Sequence, residues 1–319
     1  MKQKLRIDFN KNTKLTYYIS NILKLLIPTK YYQMKLPTYL DIKEEKEYIQ
    51  QRVNYYNKLK ENFSPASTLP TIESFRKNEK KKTYYFDLLE YLRYFNPKLK
   101  VSYLFGDIVD VPEEPSLLKS RPIEGENQNS ILLKLNKVRH FIFVNDTTKY
   151  EDKKDMLVWR GKCYTQKRQD FIQKFYNHKN CNIGQTNTKG DINQPWQKEK
   201  MQLSEQLQYK FILTIEGNDV ASNLKWVMSS NSLAFMVKPT YETWFMEGRL
   251  IPNYHYVLLK DDYSDLDEKI EYYSKNIDKA LEIIQNAQKY VEQFKNKRRE
   301  DIISLLVLQK YFEKSQQLS

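Results

Sequence analysis

The chain has 319 residues, 40% hydrophobic and 29% charged, with seven glycines and two cysteines. That length holds two ordinary domains with cores of their own, and Cys163 and Cys181 have neither the number nor the spacing for a disulfide framework or a zinc site. Net charge is +13, but residues 1–100 carry 21 Lys/Arg against 10 Asp/Glu and the other 219 carry 32 against 30. An anionic surface or acceptor is therefore expected on the N-terminal side, although heavy use of Lys, Asn, Ile and Tyr is also what an AT-rich genome imposes.

The opening MKQKLRIDFNKNTK has no apolar core of signal-peptide length, and Leu15–Pro28 is too short and too polar to span a bilayer. A soluble protein made in the cytoplasm is expected. Residues 1–62 read as a helical lead-in. TYYISNILKLLI puts Tyr18, Ile22 and Leu25 on one face, for packing on a core or, alternatively, for resting on an anionic membrane. A second helix is expected over 42–59. After Pro65, Pro70 and the charge block RKNEKKK come an amphipathic helix at 83–95 and a strand at 101–105. Gly106, Asp107 and a proline-punctuated loop follow, then a short strand at 141–144.

From residue 151 strands and helices alternate. Strands are predicted at MLVWRG, KFILTIEG, SLAFMV and YHYVLL, and helices at QKRQDFIQKFYNH and VASNLKWVMSS. YETWFMEG reads as a helical turn, and SDLDEKIEYY, NIDKALEIIQNAQKYVEQF and DIISLLVLQKYFEKS as closing helices. Continuously apolar strands between helices indicate an α/β fold with a covered parallel sheet. Such sheets bind ligands beyond the carboxyl ends of their strands. Gly106, Gly161 and Gly217 each follow a predicted strand, which is the sharpest local sign of a site.

Three segments there can carry chemistry. In EGNDVASN a glycine permits close backbone approach, and Asn218 or Asp219 can cap a helix whose free N–H groups suit a phosphate. Arg160 and Gly161 in WRG offer a planar fork for a diphosphate, with Lys162, Lys167 and Arg168 adding positive potential. In GDIVDVPEEP, Asp107 or Asp110 can take a proton from a hydroxyl. Each also has a plain explanation: a capped turn, a surface arginine against Trp159, or a turn-capping aspartate. The DLD triplet at 265–267 is better explained by helix capping than by metal binding, and His140, His178 and His255 are too scattered for a metal site.

Together, LVWRGKCYTQKR, YKFILTIEGNDVASNLKWVMSSNS and PTYETWFMEGRLIPNYHYVLLKDDYSDL resemble the motif blocks of glycosyltransferase family 90, most of all its bacterial branch of lipopolysaccharide A protein-like transferases. The similarity runs from about Tyr84 to Tyr273, and SRPIEGENQNSILLKLNKVRH fits that branch. The resemblance implies a GT-B architecture of two facing Rossmann-like domains. On that plan 1–150 is a basic acceptor-side domain, 151–300 a donor-binding domain, and 301–319 a helix packing back on the first. It further implies inverting, metal-independent transfer of a hexose from a nucleotide sugar, usually UDP-linked, with no cofactor. Asp110 in D-V-P matches the general base, with Asp107 as the alternative, and Arg160 matches the diphosphate-binding arginine. Glu216, Gly217, Asn218, Asp219 and Ser222 correspond to the nucleotide loop. Asn223 stands where eukaryotic relatives have an arginine and Lys225 follows, so the second phosphate ligand stays open. Arg121, Glu242 and His255 are candidate sugar or acceptor contacts.

The expected acceptor is a lipopolysaccharide core sugar met at the inner face of a bacterial membrane, with a capsule glycan or a protein as alternatives. A nucleic-acid-binding protein is the rival from another class. Its 25 tyrosines are scattered, and the glycine-bearing half is nearly neutral where a groove for nucleic acid is basic. A non-catalytic protein at a membrane surface is the other rival.

Overall fold

The computed structural model describes residues 14–318, and the expectation for the first thirteen residues lies outside them. The lead-in forms three helices, α1 (Lys14–Lys24), α2 (Thr29–Leu40) and α3 (Lys46–Tyr56). The chain turns between α1 and α2 at Pro28, which has no N–H to give an α-helix. Tyr18 and Leu25 pack inward as expected, whereas Ile22 is 53% exposed. Next come α4 (Ile72–Asn78) and α5 (Thr83–Leu92), then β1 (Ser116–Leu118), β2 (Ser120–Pro122), β3 (Ser130–Leu132) and the short α6 (Lys137–His140).

The second half runs β4 (Lys154–Gly161), α7 (Gln166–Phe175), β5 (Cys181–Gln185), α8 (Leu203–Gln206), β6 (Tyr209–Leu213) and α9 (Leu224–Met228). It continues through β7 (Leu233–Met236), β8 (Tyr241–Thr243) and β9 (Val257–Leu258), and closes with α10 (Leu266–Lys275), α11 (Ile277–Glu292) and α12 (Lys297–Lys314). β5, β4, β6, β7 and β9 lie side by side in that order, every pair parallel. The chain is therefore an α/β protein with the parallel sheet its sequence predicts.

One face of the sheet, through Leu157, Trp159, Ile183, Phe211 and Phe235, packs on α7 and α10. The opposite face, through Val158, Ile212, Ala234 and Met236, belongs to a larger core. That core takes in α9, the end of α11, α12, α5 and α3. In the first half, among the described residues, parallel pairing is confined to β1 with β3 and a bridge between Tyr103 and Leu117.

Several elements differ from expectation. Residues 101–105 and 141–144 join no regular ladder. YETWFMEG is a helical turn only at its end, where Glu247–Arg249 form a 3-10 turn; its first three residues, β8, pair antiparallel with β2, with Arg121 opposite Glu242. The helix after Gly217 begins only at Leu224, following six residues of bend and turn. β5 was not foreseen: as an edge strand carrying Asn182 and Gln185 it shows little apolar signal.

Candidate functional site

β4 is the first strand of the sheet, and the chain goes from it to β5 on one side before crossing to β6 on the other. Strand order thus reverses between β4 and β6, and crevices beyond the carboxyl ends at such a point accept ligands. Arg168, in the first turn of α7, spans the two strand ends. Its guanidinium donates to the carbonyls of Lys162 at 2.9 Å, Ile215 at 2.9 Å and Glu216 at 3.0 Å, and it lies over the Trp159 ring. A Cβ on Gly217 would stand 3.1 Å from this guanidinium, and one on Gly161 would overlap the Trp159 ring. Both glycines therefore make room for neighbouring side chains. Burial lowers the pKa of Arg168, but guanidinium starts so high that it remains charged.

Arg160 projects from the other face of β4. It donates to the carbonyls of Trp159 at 2.9 Å and Asn182 at 2.8 Å, and to Asn182 Oδ1 at 2.8 Å. Its Nε is buried without a partner, and so is Thr214 Oγ1. These two residues each lie two positions beyond the paired Val158 and Ile212, on the same face. Two orphaned polar atoms at the switch point are places for a ligand or water to complete.

The segment after β6 works mostly as scaffold. Glu216 accepts from Thr240 N at 2.9 Å, Thr240 Oγ1 at 2.6 Å and Tyr241 N at 3.2 Å, and pairs with Lys167. Asn218 reaches across to the first half and donates to Asp107 Oδ2 at 3.3 Å. Asp219 caps no helix. It accepts from Ser120 Oγ at 2.7 Å and pairs with the buried Lys119 at 2.5 Å, while Lys119 also holds Asp107 at 2.7 Å. Partial burial pushes the Asp107 carboxyl up, but the Lys119 hydrogen bond and charge outweigh it and leave the group below its ordinary range.

Asp110 rides on the loop that Gly106 opens with φ +118°, a left-handed conformation suited to glycine. Asn129 Nδ2 pins that loop through the carbonyls of Pro112 at 3.1 Å and Glu113 at 2.7 Å. Asp110 itself is exposed, and no hydrogen bond or ion pair engages it among the described residues.

Other expected contacts are placed differently. Lys225 is fully buried against Glu247 under the Phe245 ring, so it is not free for a phosphate. Asn223 donates to Leu213 O at 2.8 Å, and Ser222 stands half-buried beside it. Arg121 is sealed in the interior, bonded to Glu242 and to the carbonyls of Tyr55, Tyr56 and Ser130. Glu242 is equally enclosed and takes the Tyr55 hydroxyl. These two form an internal strut with no surface left for sugar. His255 accepts the Ile251 N–H on Nδ1 and packs between Tyr254 and Tyr290, with burial lowering its pKa.

In the DLD triplet, Asp265 occupies the N-cap position of α10 but its side chain caps no helix N–H, accepting instead from Lys260 N, while Asp267 pairs with His178. In the sequence Arg168 stands out only as charge, and Lys119 not at all. The signal for Arg168 was its place one turn into the helix after WRG; nothing in the sequence marks Lys119.

The family model of glycosyl transferase family 90 matches residues 132–315. The chain is similar to the "O-glucosyltransferase LpsA" of Dichelobacter nodosus, 44% identical over 264 residues that make up 83% of this chain and 82% of that protein. It is also similar to "Uncharacterized protein 179R" of Invertebrate iridescent virus 6, 36% identical over 97 residues, 28% of this chain and 8% of that protein. The matched family region contains the whole five-stranded sheet with Arg160, Arg168 and the 216–225 segment, while Asp107 and Asp110 precede it.

Proposed function

The chain belongs to glycosyl transferase family 90 and is a glycosyltransferase; from that premise we propose that it moves a hexose from a UDP-sugar to a sugar hydroxyl of a lipopolysaccharide core. Glucose is the first hexose to test, since the similar Dichelobacter nodosus protein is named an O-glucosyltransferase. The proposal includes inversion at the anomeric carbon, a GT-B-like arrangement of the two halves, and no metal requirement.

The observation that carries this reading is the Asn218–Asp107 hydrogen bond. It ties the start of the loop that bears Asp110 to the segment after β6, which supports a free carboxylate acting opposite the cationic tips of β4 and β6. In the mechanism Asp110 takes the proton of the acceptor hydroxyl as its oxygen attacks the anomeric carbon from the face opposite the nucleotide. The bond from that carbon to the diphosphate oxygen breaks, and charge grows on the departing diphosphate. Arg168, which spans the ends of β4 and β6, is the group to neutralise it, and Arg160 joins it only if its guanidinium leaves Asn182 on the opposite face of the sheet. One such charge about 4 Å away contributes on the order of 4 kcal/mol at an effective dielectric near 20, provided water is kept out.

Asp107 is the weaker candidate for base because Lys119 already holds its carboxylate in the ionised form. The test is calorimetric titration with a panel of UDP-, GDP- and dTDP-sugars, followed by product analysis with truncated core oligosaccharides and by repetition in excess chelator. Binding and transfer of a single UDP-hexose with inverted linkage, surviving the chelator, is the expected result. Transfer only to a peptide or capsule glycan overturns the acceptor, and a strict cation requirement overturns the metal-free step.

A further inference from the structure

Of the large apolar side chains exposed among the described residues, more than half lie in one short stretch of the lead-in. On α1 and the turn after it these are Leu15, Ile19, Ile22, Leu23, Leu26 and Ile27, and on α2 Tyr31 and Met34. Leu26 and Met34 are each 80% exposed. Isolated exposed leucines are ordinary, but a contiguous group of this kind marks a surface that meets something.

The inward side of the same helices is tied to the body of the protein. Tyr17 donates to Asp87 at 2.6 Å, Lys24 pairs with Glu90, Gln33 donates to Phe95 O, and the Arg93 guanidinium lies over the Tyr32 ring. The outward side is apolar because the hairpin docks by its other face, not because it is misfolded or unpartnered throughout.

Charge decides the occupant. From residue 14 to residue 40 the sequence has four lysines, Lys14, Lys24, Lys30 and Lys35, and no Asp or Glu. Lys14, Lys30 and Lys35 are exposed and pair with no carboxylate among the described residues. A second copy of the chain would bring the same cations against these, and like charges repel. A bilayer with anionic headgroups meets both demands, because apolar side chains enter the headgroup–acyl boundary while lysines remain among the phosphates.

We infer that the outward face of the α1–α2 hairpin is an anionic-membrane docking surface, with Leu23, Leu26 and Met34 inserting and Lys14, Lys30 and Lys35 contacting lipid phosphate. No helix of the described residues is long and apolar enough to cross a membrane, so the attachment is peripheral. It has a use for transfer: Tyr17 also bonds Thr83 O in α5, and the next residue, Tyr84, donates to Gly106 O beside Asp107. The docked face is thus about one helix diameter, ~10 Å, behind the helix that abuts the Asp110 loop. An acceptor held in the same bilayer would lie on the side of the molecule from which α5 leads to that loop, about two helix diameters away. The docking surface itself does not rest on the proposed sugar donor or acceptor.

The test is sedimentation of the full chain with vesicles of phosphatidylcholine alone and of phosphatidylcholine with one third phosphatidylglycerol, at low and high salt. The variants are L26D/M34D and, separately, K30E/K35E, with melting temperature and elution volume measured for each. Wild type should bind the anionic vesicles at least about tenfold more tightly than the neutral ones and lose most of that preference in high salt. Both variants should bind at least about tenfold more weakly while melting like wild type. The inference is overturned if wild type stays in the supernatant with anionic vesicles at low salt, or binds neutral vesicles equally well. It is also overturned if L26D/M34D binds as wild type does, or if wild type is a dimer that ignores vesicles and L26D/M34D is a monomer.

Discussion

A carboxylate can act as general base only while it is free to take up a proton, and Lys119 removes that freedom from Asp107. Asp110→Asn should therefore reduce turnover by about 10² to 10⁴ and leave UDP affinity, read by titration calorimetry, within a factor of two or so. The pH profile provides a second check. Rate falls as pH drops through the pKa of the base, and the Asp107 carboxyl is held below the ordinary carboxylate range. An acid limb in kcat/KM far below that range would transfer the role to Asp107. Arg168 calls for a different prediction, because its three carbonyl partners fix the tips of β4 and β6 against each other. Arg168→Ala should lower kcat/KM by about 10²-fold, the usual cost of a small misplacement of reacting groups, and a variant with wild-type kinetics would show that the strand tips hold without it. Here the sequence was a partial guide. Two of the glycines expected after strands, Gly161 and Gly217, do stand at or just beyond the neighbouring strands β4 and β6, and the aspartate of D-V-P is unengaged among the described residues. Arg121, Glu242 and Lys225 could not be sorted in the same way, since a charged residue reads alike whether it faces a ligand or a buried partner. The partner of Arg121 lies 121 positions away, beyond the reach of any local pattern.

Helices and strands with strong periodicity were legible almost to their ends: α5, α7, α10, α11 and α12, and the apolar strands β4, β6 and β7. The elements that went unseen owe their form to tertiary partners. β8 exists because Glu242 is drawn to Arg121, and β5 is a polar edge strand fixed by its register on β4. The same dependence on distant partners holds α12 to α3. Arg52 donates to Glu300 at 2.5 Å, both fully enclosed, and Glu300 also accepts the Trp244 indole N–H at 2.6 Å. Glu300→Ala leaves a buried guanidinium uncompensated and should cost about 3–5 kcal/mol in urea unfolding. The double replacement R52M/E300Q, which removes both charges of the pair and keeps an acceptor for the Trp244 indole N–H and for Lys134, should recover most of that loss. If it is no more stable than the single variant, packing and not electrostatics governs the joint.

At the scale of the whole molecule, the two halves share one apolar interior. Leu88, Leu92 and Ile131 from the first half, Val158 and Ile212 from the sheet, and Leu305 and Leu308 from α12 belong to the same buried cluster. Domains joined only by a small polar interface move and melt separately, whereas a large apolar one couples them. Three further ties cross between the halves, the Lys119–Asp219 pair, the Arg121–Glu242 pair and the Asn218–Asp107 bond. Calorimetry should accordingly show a single unfolding transition, not one for each half. A ligand at the tips of β4 and β6 should then raise that transition as a unit, although its direct contacts touch only a few residues. At a hundred times its dissociation constant, the proposed nucleotide ligand should add about 2.7 kcal/mol to the folded state. Under that load the N-terminal half, followed by hydrogen exchange in α5, should become protected in step with β6. Two separate transitions, with nucleotide shifting only one and α5 exchange unchanged, would mean that the halves are coupled by contact alone. Closure over a substrate would then be a hinge motion, where a shared core predicts small rearrangements of the 106–115 loop and the strand tips.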